Sequence, residues 1–526
     1  MTSLVTRHSQ NNFESALSIP QVSQEKILKN LLKKNETSQF FKEHALLNIN
    51  SISEYRNKLS VLEHDDYLPW IDKIRAGEKS VLTNENVLSL CPTSGNSSGQ
   101  KLIPYTKTLK SEFMSGIYPW LRNLIQLYPG ISKGKAYWIV TPSTLINNDL
   151  NSSVLEGFEE DESYFGSWMN PILKRLLISS NEVSQIENHD NFIYTTLYNL
   201  LECEDLSWIS LWNPSTFLAF WNRYPDYLES ICKDIYEGTL KWPNPEINIS
   251  PHSFSKKANR TRAKFIEKNI EVPEDLWPKM SLISCWNEGW ASLGVNDLQN
   301  LFPKTPIQGK GLLATEGLIS IPYNNQEGSL LGVTSHFLEF EDIQTREILC
   351  SHELKNDGLY SVIITQGGGL YRYRLGDIIQ VLGKFKNTPR IKFLRREGHV
   401  VDVIGEKMNS SHVEKILRQL YQKHNCSPSW SFLSPVKNGS KWTYSLFLPK
   451  QNFKANTQES FKNDLEELLN ENYHYRHGRQ MQQLRKAEVI ESNFSPKIDS
   501  GKWSTHKIEY LREPGEWINS YIKDIA

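Results

Sequence analysis

Residues 1–20 are mostly polar and predict a loose tail. Apolar positions then recur at helical spacing over 25–47 and 52–76. A short apolar run at 87–91 predicts a strand that enters a glycine-rich loop, and a helix is predicted after it over 108–127. Residues 134–141 predict a strand. Helices are predicted over 164–180, 191–202, 214–240 and 260–268, the last two separated by the prolines of 242–245. From Met280 the pattern changes to short β-rich runs at 282–286, 311–314, 317–322, 335–340, 360–365 and 377–382, with a further strand region over 392–404. After Gly405 it restarts as helix 411–424, strand 442–448, helix 456–470 and strand 483–489. The expected architecture is an α/β first half, a β-rich middle and a separate α+β C-terminal domain, divided as 1–404 and 405–526. Neither an internal repeat nor a low-complexity segment is visible.

A chain of 526 residues exceeds what one hydrophobic core supports, which agrees with two or more domains. Its formal net charge is -1, from 59 basic and 60 acidic residues, so bulk charge gives no reason to expect nucleic acid or an anionic membrane as partner. No apolar run reaches membrane-spanning length; the stretch 208–221 comes nearest and is broken by Asn213, Pro214 and Ser215. The polar N-terminus has no apolar signal-peptide core. The six cysteines are scattered without a CxxC pair, which predicts reduced thiols and a cytoplasmic protein, with neither a disulfide framework nor a zinc site.

Three segments carry candidate chemistry. The loop Thr93, Ser94, Gly95, Asn96, Ser97, Ser98, closed by Lys101, presents hydroxyls and backbone N–H groups suited to phosphate. It is not a Walker A loop, because Gln100 separates Gly99 from the lysine. Gly95 to Gly99 also satisfies the hydrolase nucleophile-elbow pattern, but an elbow feeds straight into a helix and Pro104 would break that helix. The second segment is Thr315-Glu316, whose carboxylate at a strand end is a natural Mg²⁺ ligand, although a solvated turn reads the same way. Just before it, residues 309–314 match the dinucleotide pattern G-x-G-x-x-A, without a clear strand before or helix after. The third is the run from Gly369 to Asp377, in which glycines permit close backbone approach and Asp377 offers two acceptor oxygens to the hydroxyls of a ribose.

Weaker candidates surround these. Arg395 and Arg396 precede Gly405, Glu406 and Lys407, and one of the two arginines suits ribose or phosphate. Lys502 and Lys507 lie near the C-terminus, where a lysine on a glycine turn can reach into a cleft. His474 and His477 have no companion ligands and read as ordinary histidines. The 15 tryptophans, 22 tyrosines and 21 phenylalanines serve the core or line a pocket for a flat ligand, and composition does not separate these uses.

Together the segments resemble the Gretchen Hagen 3 family of acyl-acid amido synthetases, within the adenylating superfamily of acyl-CoA synthetases, luciferases and peptide-synthetase adenylation domains. The resemblance runs from about Val87 to Leu511, through the loop from Thr93 to Pro104, the Ala314-Thr-Glu-Gly317 segment, the Tyr373-to-Asp377 segment, the 227–240 helix and the hinge-like 396–407. It implies a large N-terminal adenylate-forming domain with sheets flanked by helices plus a β-rich subdomain, and a small mobile C-terminal domain turning near Gly405 to Lys407. It further implies that Thr93, Ser94 and Ser97, in the loop through Ser98, hold ATP phosphates. Thr315 and Glu316 act at the adenylate and Mg²⁺, Asp377 binds ribose with help from Arg396, and Lys407 sits at the hinge. The catalytic C-terminal lysine is Lys507 by the closer family's pattern and Lys502 by the wider superfamily's. Two departures stand out: Asn96 replaces the usual Thr, and Ile508-Glu-Tyr510 replaces Val-Pro-Arg. The implied activity joins a small carboxylic acid to an amine such as an amino acid, with ATP as substrate. Tryptophan-rich helices around Trp208 to Trp221 hint at an aromatic or otherwise apolar acid, and core packing explains them equally well. An acyl-CoA ligase, or a nucleotide-binding protein without chemistry, are the alternatives.

Overall fold

The computed structural model describes residues 2–93, 101–139, 155–156, 176–178, 181–246, 248–397, 400–426, 428, 431–439, 441–450, 455–492 and 510–515. The chain forms two compact units. One comprises Met1–Thr93, Lys101–Pro214 and Arg223–Arg395; the other includes Ser215–Asn222 and the chain from Arg396 onward.

The larger unit is built on two main sheets. A seven-stranded sheet runs in the order Ser320–Ile321, Ser329–Leu331, Thr388–Arg396, Tyr373–Phe385, Leu359–Thr365, Phe337–Asp342, Ile348–Cys350. Next to its central strand, Tyr373–Phe385, is the strand predicted at 360–365, where Val362, Ile363 and Ile364 are fully buried. A four-stranded parallel sheet runs in the order Lys135–Trp138, Leu206–Ser210, Leu282–Ser284, Ile307–Gln308. Its crossovers carry helices, among them Tyr224–Glu237, Arg260–Asn269 and Ser292–Leu301, as parallel connections require. Beside these sheets, Ser89–Pro92 pairs antiparallel with Leu102–Tyr105, and a hairpin pairs Leu313–Ala314 with Gly317–Leu318.

Several expectations change. The predicted tail is a helix, Thr2–Ala16. Its composition is polar, but Phe13, Ala16 and Leu17 are buried and Gln10 donates to Gln126 and to the Tyr323 hydroxyl, both at 3.1 Å. The stretch 25–47 is two helices, Pro20–Asn35 and Gln39–Glu43; 52–76 is Ile52–Lys58 and His64–Arg75. Most of the helix predicted over 164–180 lies outside the described residues. The tryptophan-rich 208–221 begins on a strand rather than a helix. Among the described residues, no helix is long and apolar enough to cross a membrane. All six cysteines are free thiols, five of them buried.

The smaller unit has its own core around a three-stranded sheet, Phe432–Asn438, Lys441–Pro449 and Leu484–Ser492. Helices Ser410–Lys423, Ala455–Leu469 and Tyr473–Gln480 belong to the same stretch of chain. Sequence periodicity missed the first strand and the last helix.

Candidate active site

The glycine-rich loop springs from an antiparallel pair. Thr93, buried, donates its N–H to the Lys101 carbonyl at 2.8 Å and so closes the base of segment 94–100. Ser94, Gly95, Asn96, Ser97 and Ser98 themselves lie outside the described residues. The loop leads into a strand, Leu102–Tyr105, and not into a helix. The nucleophile-elbow geometry is therefore absent, and Pro104 sits in extended backbone. The helix Lys107–Leu127 starts only afterwards, with the Thr106 hydroxyl capping the Leu109 N–H at 3.2 Å. Beside the loop base, burial and the nearby Lys101 ammonium push His64 down to about 4, so its ring is neutral at neutral pH.

Thr315 and Glu316 form the tip of the hairpin whose stem pairs Leu313 with Leu318. Glu316 is buried. The Tyr105 hydroxyl donates to the Thr315 carbonyl at 2.6 Å, tying this tip to the strand that leaves the glycine-rich loop. The glycine run after the central strand meets the same place: the Thr106 hydroxyl donates to the Gly367 carbonyl at 2.8 Å.

Two residues that sequence reasoning did not single out hold these pieces together. Glu112 accepts the Gly367 N–H at 2.8 Å and lies 3.0 Å from Nδ1 of the fully buried His336. The Leu318 N–H donates to His336 Nε2 at 3.0 Å, so that nitrogen is the acceptor and the ring proton is on Nδ1, facing Glu112. One helix, one hairpin and one glycine loop are thus joined by a single buried network.

Asp377 is buried on the strand Tyr373–Phe385. Pairing with Leu359–Thr365 slips between Ser361 and Ile363, which face Ile378 and Arg374, so Leu375, Gly376 and Asp377 bulge opposite one residue. Gly376 has φ +79°, a conformation that disfavours any side chain. The bulge re-aims the aspartate, a device common beside active sites. The arginines of the same motif serve the fold instead: Arg372 pairs with Glu339 at 3.0 Å, and Arg374 with Glu63 at 2.8 Å and with Glu341.

In the smaller unit, Arg396 ends the strand Thr388–Arg396 and is half-buried. Lys407 (φ +44°) and Gly405 (φ +107°) flank the buried Glu406, which accepts N–H bonds from Val403 at 3.0 Å and Ile404 at 2.8 Å and the Tyr444 hydroxyl. Burial, reinforced by the Asp402 carboxylate, pushes Glu406 up to about 7. Lys502 and Lys507 lie outside the described residues.

Residues 309–314 prove not to be a dinucleotide site. A strand, Ile307–Gln308, does precede them, but the hairpin and no helix comes after. Gly311 has φ +72°, and a Cβ there would meet the Ser320 carbonyl oxygen at 2.5 Å. The turn instead brings Lys310 into the unit's interior, where its ammonium donates to the Ser210 hydroxyl at 2.7 Å. Cys285 lies close by: burial pushes its thiol up to about 12, against the opposing pull of the Lys310 charge.

Comparison with known proteins agrees with this geometry. Residues 9–307 match the GH3 family N-terminal domain and 329–396 the GH3 family central domain. The chain is 22% identical to the indole-3-acetic acid-amido synthetase GH3.3 of Arabidopsis thaliana, over 74% of this chain and 70% of that one. It is 23% identical to the jasmonoyl-L-amino acid synthetase GH3.5 of Oryza sativa subsp. japonica, over 75% and 73%. Its fold matches an AtGH3.15 acyl acid amido synthetase solved with 2,4-DB, with TM-score 0.68 at 18% identity over 99% and 96% of the two chains. A 2-hydroxyisobutyryl-CoA ligase matches with TM-score 0.54 at 11% identity over 97% and 93%. With family models covering most of the chain from residue 9 to 396, this protein belongs to the GH3 family.

Proposed function

We propose that this protein is an ATP-dependent acyl-acid amido synthetase. The observation that carries the reading is a convergence: Glu112 and His336 join the Thr315-Glu316 hairpin to the glycine run that leads to Asp377, and Tyr105 ties in the strand leaving the glycine-rich loop. The names of its relatives, amido synthetases for indole-3-acetic acid and jasmonoyl–amino acid synthetases, support the same class.

In the first half-reaction a carboxylate oxygen attacks the α-phosphorus of ATP and the bond to pyrophosphate breaks, leaving an acyl-adenylate. In the second, an amine nitrogen attacks the acyl carbon, the bond to AMP breaks and the amine loses a proton. Thr93, Ser94, Gly95, Asn96, Ser97 and Ser98 hold phosphate oxygens, Asp377 accepts from the ribose hydroxyls with Arg396 assisting, and Thr315 orients the adenylate. Glu316 would offer Mg²⁺ a protein carboxylate beside the nucleotide phosphates. The ion, when bound, supplies positive charge against the phosphates. Lys507, with Lys502 as the competing candidate, brings a further cation to the α-phosphate. The small domain turns at Gly405 to Lys407 to remake the site between the two halves.

The test is a panel of carboxylic acids assayed with ATP and Mg²⁺ for pyrophosphate release, then amino acids and coenzyme A as acceptors for each positive acid. Amide formation with release of AMP is expected. Thioester formation alone would make the protein an acyl-CoA ligase, and nucleotide binding without turnover would leave it a binding protein.

A further inference from the structure

The four parallel strands end in register. Trp138 pairs with Ser210, Ser210 with Ser284, and Ser284 with Gln308. The C-terminal ends of parallel strands are where open α/β sheets bind ligands. Two residues beyond these ends stand Trp212, Trp286 and Lys310, the first two joined by a backbone bond at 2.8 Å. Lys310 is 6% exposed, and its ammonium lies 4.7 Å from the ring centre of Trp212, 5.2 Å from Trp138 and 5.9 Å from Trp120. Three indoles around one buried ammonium is an arrangement that lowers the cost of keeping the charge away from water.

A cage of this kind need not bind anything, but two further observations point to a ligand. A cavity of about 30 Å³ opens against Lys310 and the tryptophans, lined also by Leu313 and Leu318. That exceeds the roughly 10–15 Å³ needed for one water, and suits a group the size of a carboxylate. Ser284, in register between Ser210 and Gln308, has a fully buried hydroxyl with no hydrogen-bond partner among the described residues. Leu313 and Leu318 are the stem of the hairpin that carries Thr315 and Glu316 at its tip. The cavity therefore lies between the Lys310 ammonium and the stem of the hairpin that carries Thr315 and Glu316.

Building on the amido synthetase reading, we propose that Lys310, with Ser284, selects the acid substrate. The preferred acid has an apolar body and a second carboxylate, distal to the reacting one, that enters the cavity beside the tryptophans and is held by the Lys310 ammonium. Lys310 is a specificity-determining residue and not a participant in the transfer steps.

The experiment compares matched pairs, hexanoate with adipate, octanoate with suberate and benzoate with terephthalate. Pyrophosphate release gives kcat/KM, and quenching of tryptophan fluorescence gives binding without ATP. Wild-type protein should prefer one diacid over its monoacid partner by about 10-fold or more. Lys310→Met should invert that preference, a combined change of about 100-fold, the scale of losing one partner of a buried charge pair. Lys310→Arg should retain part of it, and Ser284→Ala should reduce it several-fold. Equal loss for monoacids and diacids in Lys310→Met would put the reacting carboxylate on the lysine and overturn the proposal, as would a wild-type preference for the monoacids. If Lys310→Met does not fold, an unchanged diacid preference in both Lys310→Arg and Ser284→Ala overturns it. If no acid releases pyrophosphate, the amido synthetase reading fails separately. Fluorescence then decides: diacid binding lost in Lys310→Met supports the site, and no diacid binding overturns it.

Discussion

Two of the buried cations among the described residues of the larger unit, Arg262 and Lys310, have surroundings that differ in kind. Arg262, on the helix Arg260–Asn269, gives its Nε to the Leu201 carbonyl at 2.6 Å, Nη1 to Leu276 at 2.9 Å and Nη2 to Cys203 at 3.1 Å. Every edge of the guanidinium is met by the backbone of the fold itself. Lys310 instead stands beyond a strand end, among aromatic faces and beside a cavity. A buried charge enclosed by carbonyls pins chain segments together; a buried charge beside space and an orphan hydroxyl is placed for something that arrives. The Arg372–Glu339 pair belongs with the first kind, and under the proposed function Asp377, turned out of register by a bulge, belongs with the second.

The largest effect should come from breaking the first kind. Arg262→Ala removes a donor from three buried carbonyls, of which Cys203 keeps the Trp277 indole N–H at 3.0 Å, and should cost about 3–5 kcal/mol of stability. Chemical denaturation measures this, and loss of acid selectivity without loss of stability would erase the distinction between the two cations. Next, Lys507→Ala should slow pyrophosphate release by about 10²–10³-fold while leaving amide formation from synthetic acyl-adenylate near normal, because only the first half needs that charge donor. Lys502→Ala is the control; reversed results move the role to Lys502. Asp377→Ala should weaken ATP use by roughly 2–4 kcal/mol with little change in melting temperature, since its carboxylate is placed for a ligand. Parent-like ATP affinity and kcat/KM would return Asp377 to the structural class.

The smallest expected effect concerns Glu406, a buried carboxyl of the smaller unit raised from about 4.5 to about 7. Its folded value lies above its unfolded value, so the folded state binds the proton more tightly. The stabilisation is fully present below about pH 4.5 and is lost as pH rises through 7, a change of at most about 3 kcal/mol. Subtracting the pH profile of Glu406→Gln from that of the parent, by denaturant unfolding, should isolate this loss. Parallel profiles would show that the turn's hydrogen bonds from Val403 and Ile404 offset the burial after all.

Much of the first kind of information was local and therefore readable. The strand at 360–365, the helix at 108–127 and the restart after Gly405 come from spacing that the structure largely keeps. Thr315, Glu316 and Asp377 stood out because each lies beside glycines that a turn or bulge needs. The helix Thr2–Ala16 did not, because its polar composition hides Gln10 and Phe13, whose partners Gln126 and Tyr323 lie more than a hundred positions away. His336 and Glu112 were silent for the same reason: a lone histidine and a glutamate on a helix carry no signal until a fold sets them 3.0 Å apart. The tryptophans near 208–221 suggested an apolar pocket, but the sequence placed them on a helix, and it marked Lys310 only as the x of a weak glycine pattern.

By itself the sequence determined the order of helical and β-rich stretches and the positions where backbone freedom and acidic side chains coincide, since both depend on neighbours within a few residues. Only the tertiary structure decided which charges serve the fold and which serve a site. That distinction rests on what surrounds a charge in three dimensions. Arg262 and Lys310 are alike along the chain and become different when one meets three carbonyls and the other a wall of indoles at the ends of parallel strands.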